Sequence, residues 1–277
     1  MDENGVHTFR KSYDDRGNIV ETACFGLSNE PILNKSLYHR EATKYDDWSR
    51  AIEVSLFGTK GEPVVRQDGI HRITNEYDAR GNVIAEAYFG IDGKPALGKG
   101  LFHRMVRKYD DRGYELEQSY FGLSNEPVLH ADGSHKMTNA YDERGKLIEN
   151  RFTDTQGNLV VSDGRAIART KYDDRGNEVE VAYYGVHNEP LIRRPFGPID
   201  PAIEPEVHRR YGVARAMYQY DDSNRKITEE FFGPDGKPMS DLQGIAKVSI
   251  SYDANGKSTQ HFFNVVGIQV SPNTARK

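Results

Sequence analysis

The chain has 277 residues, with 37 Lys and Arg set against 42 Asp and Glu and a formal charge of -5. The charges are interleaved, and the absence of a basic run excludes the electrostatic footprint of nucleic-acid or anionic-membrane binding. One cysteine, Cys24, excludes an intrachain disulfide framework, and no apolar run approaches the roughly 20 residues of a membrane span.

In chain order, the first residues (MDENGVHTFR) lack the charged and apolar regions of a secretory leader. A cytoplasmic location is expected if this is the whole chain. A Tyr-Asp pair then recurs at Tyr13, Tyr45, Tyr77, Tyr109, Tyr141, Tyr172, Tyr220 and Tyr252, in steps of 32, 32, 32, 32, 31, 48 and 32. A second marker follows 11 or 12 residues later, at Phe25, Phe57, Phe89, Phe121, Phe152, Tyr184, Phe232 and Phe263. Three in-phase markers, counting the Pro-containing turn that comes next, define eight units near 5–36, 37–68, 69–100, 101–132, 133–163, 164–211, 212–243 and 244–277. They form a single array over 1–277.

The third unit, HRITNEYD-ARG-NVIAEAYFG-IDGKPAL, shows the design. An alternating strand runs up to Tyr77. Asp78 to Gly81 is turn chemistry, since Asp bonds its own backbone and Gly tolerates positive φ. A second strand runs from Val83 to Phe89, and Asp-Gly-Lys-Pro turns the chain again. A four-residue loop after Tyr77 sets Tyr77 opposite Asn82, Asn75 opposite Ile84, and His71 opposite Tyr88. One face then carries His71, Ile73, Tyr77, Ile84 and Tyr88, and the other Arg72, Thr74, Glu76, Ala85 and Ala87. Phe89 breaks the alternation and is expected at the joint between units. A single hairpin cannot bury its aromatic face, so the fold expected is all-β: antiparallel hairpins stacked into an elongated, twisted array. A closed eight-bladed propeller is the alternative.

Departures from the repeat mark candidate contacts. Unit 2 carries Trp48 on its turn, where other units have Arg16, Arg80, Arg112, Arg144 and Arg175. The 48-residue step contains an insertion over 192–212 with Pro195, Pro198, Pro201 and Pro205, flanked by Arg193, Arg194, Phe196, His208, Arg209, Arg210 and Tyr211. Inserts in arrays commonly build the binding face, so these seven residues and Trp48 are the candidate binding residues. The expected partner is a protein or a small ligand, with no nucleic acid and no membrane insertion. The first unit starts without a polar cap, so end-to-end self-association is also expected unless the array continues in a longer chain.

Other rows read as structural. His7, His39, His71, His103 and His135 stand six residues before the Tyr, and Ala166, Ala214 and Ala246 take that place in later units. A slot that accepts Ala is a packing slot, and no H-x-H, H-x₃-H or Cys pairing supports zinc. The Asp of each pair suits an Asx turn better than calcium, which needs more oxygen ligands per loop. Cys24 occupies an apolar slot. The chain has no G-x-S-x-G, H-E-x-x-H, C-x-x-C, Walker or G-x-G-x-x-G motif, so no catalytic residue, metal ligand or cofactor is expected.

The core of each unit, YDDRGNIV (13–20), YDARGNVI (77–84) and YDERGKLI (141–148), resembles the YD repeats of bacterial Rhs proteins and teneurins. The units here are longer by their FG-x-D-G-K-P segment. That resemblance implies a shell or adhesive surface and carries over no catalytic residue. The function expected is a non-catalytic repeat scaffold acting as a protein- or ligand-binding module. The alternative is an architectural spacer or shell segment of a larger bacterial surface or toxin-like protein.

Overall fold

The computed structural model describes residues 6–195 and 209–271. Two compact units divide the chain, Met1–Ala131 and Asp132–Lys277. The first contains β1 (Thr8–Tyr13), β2 (Ile19–Phe25), β3 (Arg40–Tyr45), β4 (Ala51–Phe57), β5 (Arg72–Tyr77), β6 (Val83–Phe89), β7 (Arg104–Tyr109) and β8 (Glu115–Phe121). The second contains β9 (Lys136–Tyr141), β10 (Leu147–Thr153), β11 (Ile167–Tyr172), β12 (Glu178–Tyr184), β13 (Arg215–Tyr220), β14 (Lys226–Phe232), β15 (Lys247–Tyr252), β16 (Ser258–Phe263) and β17 (Gln269–Val270). Every element is a strand, and every pairing is antiparallel.

Within each unit, the strands pair in chain order. Hairpin partners such as β5 and β6 share a long ladder, and successive hairpins join through three residue pairs, for example Glu53 with Thr74, Val54 with Ile73 and Ser55 with Arg72. Edge-to-edge continuity of this kind identifies an open hairpin array. A propeller would instead confine each ladder to one blade.

The register differs from the sequence-based one by one residue at Tyr77 and by two beyond it. Ile73 faces Tyr88, Asn75 faces Glu86 and Tyr77 faces Val83, with the register shifting between Glu76 and Tyr77. The cause is local. The turn has three residues between Asp78 and Asn82, closed by the Asp78 N–H on the Asn82 carbonyl (3.0 Å) and the Gly81 N–H on the Asp78 carbonyl (3.1 Å). Gly81 sits at φ 93° to complete it, a turn-plus-bulge geometry. A second bulge then places Ile84 opposite no residue. Seven of the eight hairpins share this shift, and β15–β16 runs without it.

The second marker also needs one correction. Phe152 pairs with Met137, which puts it in the buried slot held by Cys24 in the first hairpin. Thr153 takes the marker position, bridging Leu159 as Phe25 bridges Pro31.

The bulge explains the tyrosine. Tyr45, Tyr77 and Tyr109 each donate their hydroxyl to a backbone carbonyl at the start of the preceding hairpin's return strand, on Ile19 (2.9 Å), Ala51 (2.8 Å) and Val83 (3.1 Å). Tyr172, Tyr220 and Tyr252 do the same on Leu147 (3.2 Å), Glu178 (3.0 Å) and Lys226 (2.9 Å). Each acceptor residue is the one paired with the previous repeat's Tyr. The ring covers the joint and the hydroxyl pins its register, at a net worth of about 1 kcal/mol per bond.

Candidate binding site

The insertion leaves and rejoins the array at a closed base. The Arg193 N–H donates to the Val213 carbonyl (3.0 Å), and the Gly212 N–H donates to the Arg193 carbonyl (2.8 Å). Opposite this base lies the connecting turn of the fifth repeat, the one with the 31-residue step. Most connecting turns keep three residues inside, as between Asn34 and Tyr38. Here Ser162 and Arg165 exchange backbone bonds in both directions (2.9 and 3.1 Å) around only Asp163 and Gly164. Both have positive φ, 47° and 74°, as an Asp-Gly two-residue hairpin turn requires. A Cβ on Gly164 would lie 1.9 Å from the Arg194 carbonyl oxygen, so only glycine lets the start of the insertion run against this turn.

Charge collects at the same place. Seven residues before the repeat Tyr, other hairpins bury Val6, Ile70, Phe102, Val213 or Ile245. The sixth repeat puts Arg165 in that slot. Arg165 and Arg193 share one oxygen of the Asp163 carboxylate. Arg193 also lies over the Tyr211 ring at 4.3 Å and the Tyr183 ring at 5.2 Å, and it donates to the Tyr211 hydroxyl at 3.2 Å. Burial, and then the neighbouring Arg193 charge, pulls the pKa of Arg165 below the usual guanidinium range.

The remaining arginines turn inward. Arg209 pairs with Glu229 at 2.8 Å, with side chains only 6 % and 1 % exposed, and Lys226 reaches the same carboxylate at 3.2 Å. Arg210 bonds Glu178 and lies over the Tyr218 ring at 5.4 Å. Burial raises the pKa of Tyr218 and that of Asp241, a second buried acid near Arg209.

The structure therefore brings Arg193, Arg209, Arg210 and Tyr211 together at the insertion's base, where each is bonded to its own unit. Arg194 is exposed. Phe196 and His208 lie outside the described residues.

Trp48 belongs to the other unit and is 75 % exposed. It is not loose. The Trp48 backbone N–H donates to the Asp46 carboxylate (2.9 Å), and the ring lies 4.9 Å from the Arg50 guanidinium, which lies 4.7 Å from Tyr77. Arg50 is fixed in turn by Asp46 (2.6 Å) and the Asp78 carbonyl (2.9 Å). Trp48, Arg50 and Tyr77 thus make a supported aromatic platform on an exposed turn. The turn arginines are partly engaged as well: Arg144 donates to the Asp173 carbonyl (2.9 Å) and Arg175 to the Asp221 carbonyl (2.8 Å), each on the next turn.

The structural rows have explicit partners. Nδ1 of His39, His71 and His103 lies 3.2, 3.0 and 2.6 Å from backbone carbonyls. A carbonyl only accepts, so these nitrogens carry the proton. Their rings meet Phe25, Phe57 and Phe89 edge-on at 5.3, 5.7 and 5.2 Å, which places Phe89 at the joint. The Asp78 carboxylate accepts from the Arg80 and Asn82 backbone and the Asn82 side chain, all at 2.9 Å, and the Asn82 side chain leads in lowering its pKa. Cys24 is buried. No group of three or more His, Cys, Asp or Glu suited to a metal occurs among the described residues.

One groove was missed by the sequence reading. About 460 Å³ opens beside Phe232, Pro238, Lys247 and Phe263, and a smaller counterpart of 130 Å³ lies one repeat earlier at Tyr184, Pro190 and Arg215. Arg215 covers the Phe232 ring at 4.7 Å. At the equivalent position Lys247 turns instead to Glu230 (2.7 Å). That Arg-to-Lys change is a weak trace in the sequence, since the same row also departs from Arg at Thr8, Lys136 and Ile167.

No family model matches the chain, and no curated protein is similar to it. Among solved structures, the chain is similar to TcdB2-TccC3, at 11 % identity and a TM-score of 0.44 over 96 % of this chain and 14 % of that one. A Photorhabdus luminescens Tc holotoxin pore gives 11 % identity and a TM-score of 0.43 over 96 % and 13 %. The chain thus spans about a seventh of the length of these structures' chains.

Proposed function

We propose that this chain is a non-catalytic repeat scaffold that displays a rigid contact platform. The observation that carries the reading is the tyrosine staple, repeated at six joints. Side chains with chemical potential (Tyr, His, Asp and Arg alike) are spent on bonds between and within hairpins, in the same role each time. What such a frame offers a partner is a fixed arrangement of exposed groups, and Trp48 is the best prepared of them. Arg50, itself fixed by Asp46 and lying against Tyr77, already backs its ring, and Asp46 holds its backbone, so docking on it loses little conformational entropy.

Trp48 is the only tryptophan, so its emission reports directly on that platform. A partner recovered with the wild-type chain should shift the emission on binding and should bind at least tenfold more weakly to Trp48→Ala, the loss usual for an interface anchor. Binding that leaves both emission and the Trp48→Ala affinity unchanged would remove Trp48 from the reading. Turnover of a small substrate by the purified chain would remove the scaffold.

The architectural alternative rests on the turn arginines. Arg144 and Arg175 bond forward to the next turn, which stiffens the array along a row that would otherwise be free for contacts. Under that reading, Trp48→Ala has no effect on any association, and Arg144→Ala lowers stability by about 0.5–1.5 kcal/mol.

A further inference from the structure

We propose that the Arg165–Arg193 pair is an oxyanion-binding site, completed by the Ser162 hydroxyl and supported by Tyr183 and Tyr211. This inference is independent of the Trp48 platform, which lies in the other unit.

The charge is incomplete as it stands. Two guanidinium groups, with side chains only 15 % and 11 % exposed, share a single carboxylate, so the cluster carries one positive charge in excess. Buried charge is tolerated when it is paired and hydrogen-bonded. Elsewhere in the same unit the charge is balanced, since Arg209 has Glu229 and Arg210 has Glu178, although each of those arginines also keeps one buried nitrogen without a hydrogen-bond partner.

The hydrogen bonding is incomplete at the same point. Nε of Arg165, Nε of Arg193 and Oγ of Ser162 are buried and have no hydrogen-bond partner. Three orphaned polar atoms, all capable of donating, within one turn and its facing residue call for an acceptor. The rest of each guanidinium is occupied: Arg165 reaches Asp163 and, at 3.3 Å, Asn150, while Arg193 reaches Asp163 and the hydroxyls of Tyr211 (3.2 Å) and Tyr183 (3.5 Å). The Asp163 side chain is 38 % exposed and forms the solvent-facing side of the cluster.

The sequence is unusual here too. Arg165 stands in a slot that five other repeats fill with Val, Ile or Phe and the remaining two with Tyr38 and Ser134, on the one connecting turn shortened by a residue, beside the one inserted segment. A carboxylate or phosphate group would cancel the excess charge and accept from the three free donors. Two guanidinium groups with a hydroxyl suit either anion.

The test uses the full chain with sodium phosphate and sodium acetate as probes, against sodium chloride at matched ionic strength. Calorimetric titration and thermal unfolding are both read. Saturable binding with a rise in Tm of several degrees beyond the chloride control is expected for at least one probe, and the better probe identifies the oxyanion class. Arg165→Ile, which restores a side chain that this slot uses at Ile70 and Ile245, should abolish both signals. Ser162→Ala should weaken binding about tenfold, the effect of losing one charge-assisted hydrogen bond. That variant decides the matter if Arg165→Ile does not fold. No saturable binding in the wild type, binding retained in Arg165→Ile, or an unchanged affinity in Ser162→Ala would each overturn the site.

Discussion

The two units are built on the same hairpin and filled differently. In the first, the buried cluster is small: Phe102, Met105 and Tyr120, with Tyr88 and Val128 against it. In the second, nine residues make one buried cluster, including Tyr183, Ala216, Tyr218, Phe231, Ile245, Val248 and Ile250. The difference traces to single rows. Two residues before the repeat Tyr, the first unit has Lys11, Thr43, Asn75 and Arg107, whereas the last two hairpins of the second have Tyr218 and Ile250. Six residues before it, His gives way to Ala166, Ala214 and Ala246. One backbone therefore accepts either a polar filling, satisfied by carbonyls and ring edges, or an apolar one. The apolar unit is also the one that buries ion pairs, because the insertion delivers arginines into it.

Four changes would break or sharpen this contrast. The largest effect is expected from Arg209→Met, which leaves Glu229 buried beside Lys226 alone. A loss of about 3–5 kcal/mol is expected, read from urea unfolding by circular dichroism. The double variant Arg209→Met with Glu229→Leu should recover much of it, and no recovery would mean that the pair does more than balance charge.

Next comes an exchange of rows. Ile250→Asn should cost about 2–5 kcal/mol by leaving a buried amide in an apolar cluster, while Asn75→Ile at the matching position should stay within about 1 kcal/mol. Equal costs would mean that the two units are packed alike.

Tyr77→Phe removes one staple and should cost about 0.5–1.5 kcal/mol, followed by Trp48 emission during urea unfolding. Tyr13, 58 % exposed on the outer edge of β1, should tolerate Phe without measurable change.

The smallest effect concerns pH. Asn82 and Asn177 lead in holding the carboxyls of Asp78 and Asp173 below the usual range. A carboxyl whose folded pKa is depressed contributes stability that is present above its unfolded value, near 4, and lost as pH falls through the folded one. The urea midpoint should therefore drop between pH 5 and pH 3, with a shallower drop in Asn82→Ala. A drop of unchanged size would take the turn aspartates out of the acid response.

Much of this was legible in the sequence. Tyr-Asp spacing gave the repeat, alternation gave the strands, and Asp-x-x-Gly gave the turn. The register was not legible, because the turn shifts Tyr77 by one position and the bulge at Ile84, which carries no distinctive residue, shifts the pairs beyond it by a second. The marker at Phe152 slipped because an aromatic there fills the neighbouring slot. At the insertion, basic and aromatic residues were visible but their burial was not. The partners of Arg193, Arg209 and Arg210 lie 30, 20 and 32 residues away, at Asp163, Glu229 and Glu178. Only the tertiary fold brings them together. Trp48 was legible as an exposed aromatic, but its support by Arg50 and Tyr77 required the turn geometry.

The tyrosine staple has a consequence for how such a gene can change. Donor and acceptor occupy fixed positions in neighbouring repeats, so gaining or losing a whole repeat by unequal recombination recreates the same joint with no new mutation. A frame-preserving change of one or two codons inside a strand would misalign hydroxyl and carbonyl and be selected against. The two irregular steps, 31 and 48, obey this rule. One residue is missing from a connecting turn and sixteen are added beside another, while the strands on either side keep their staples.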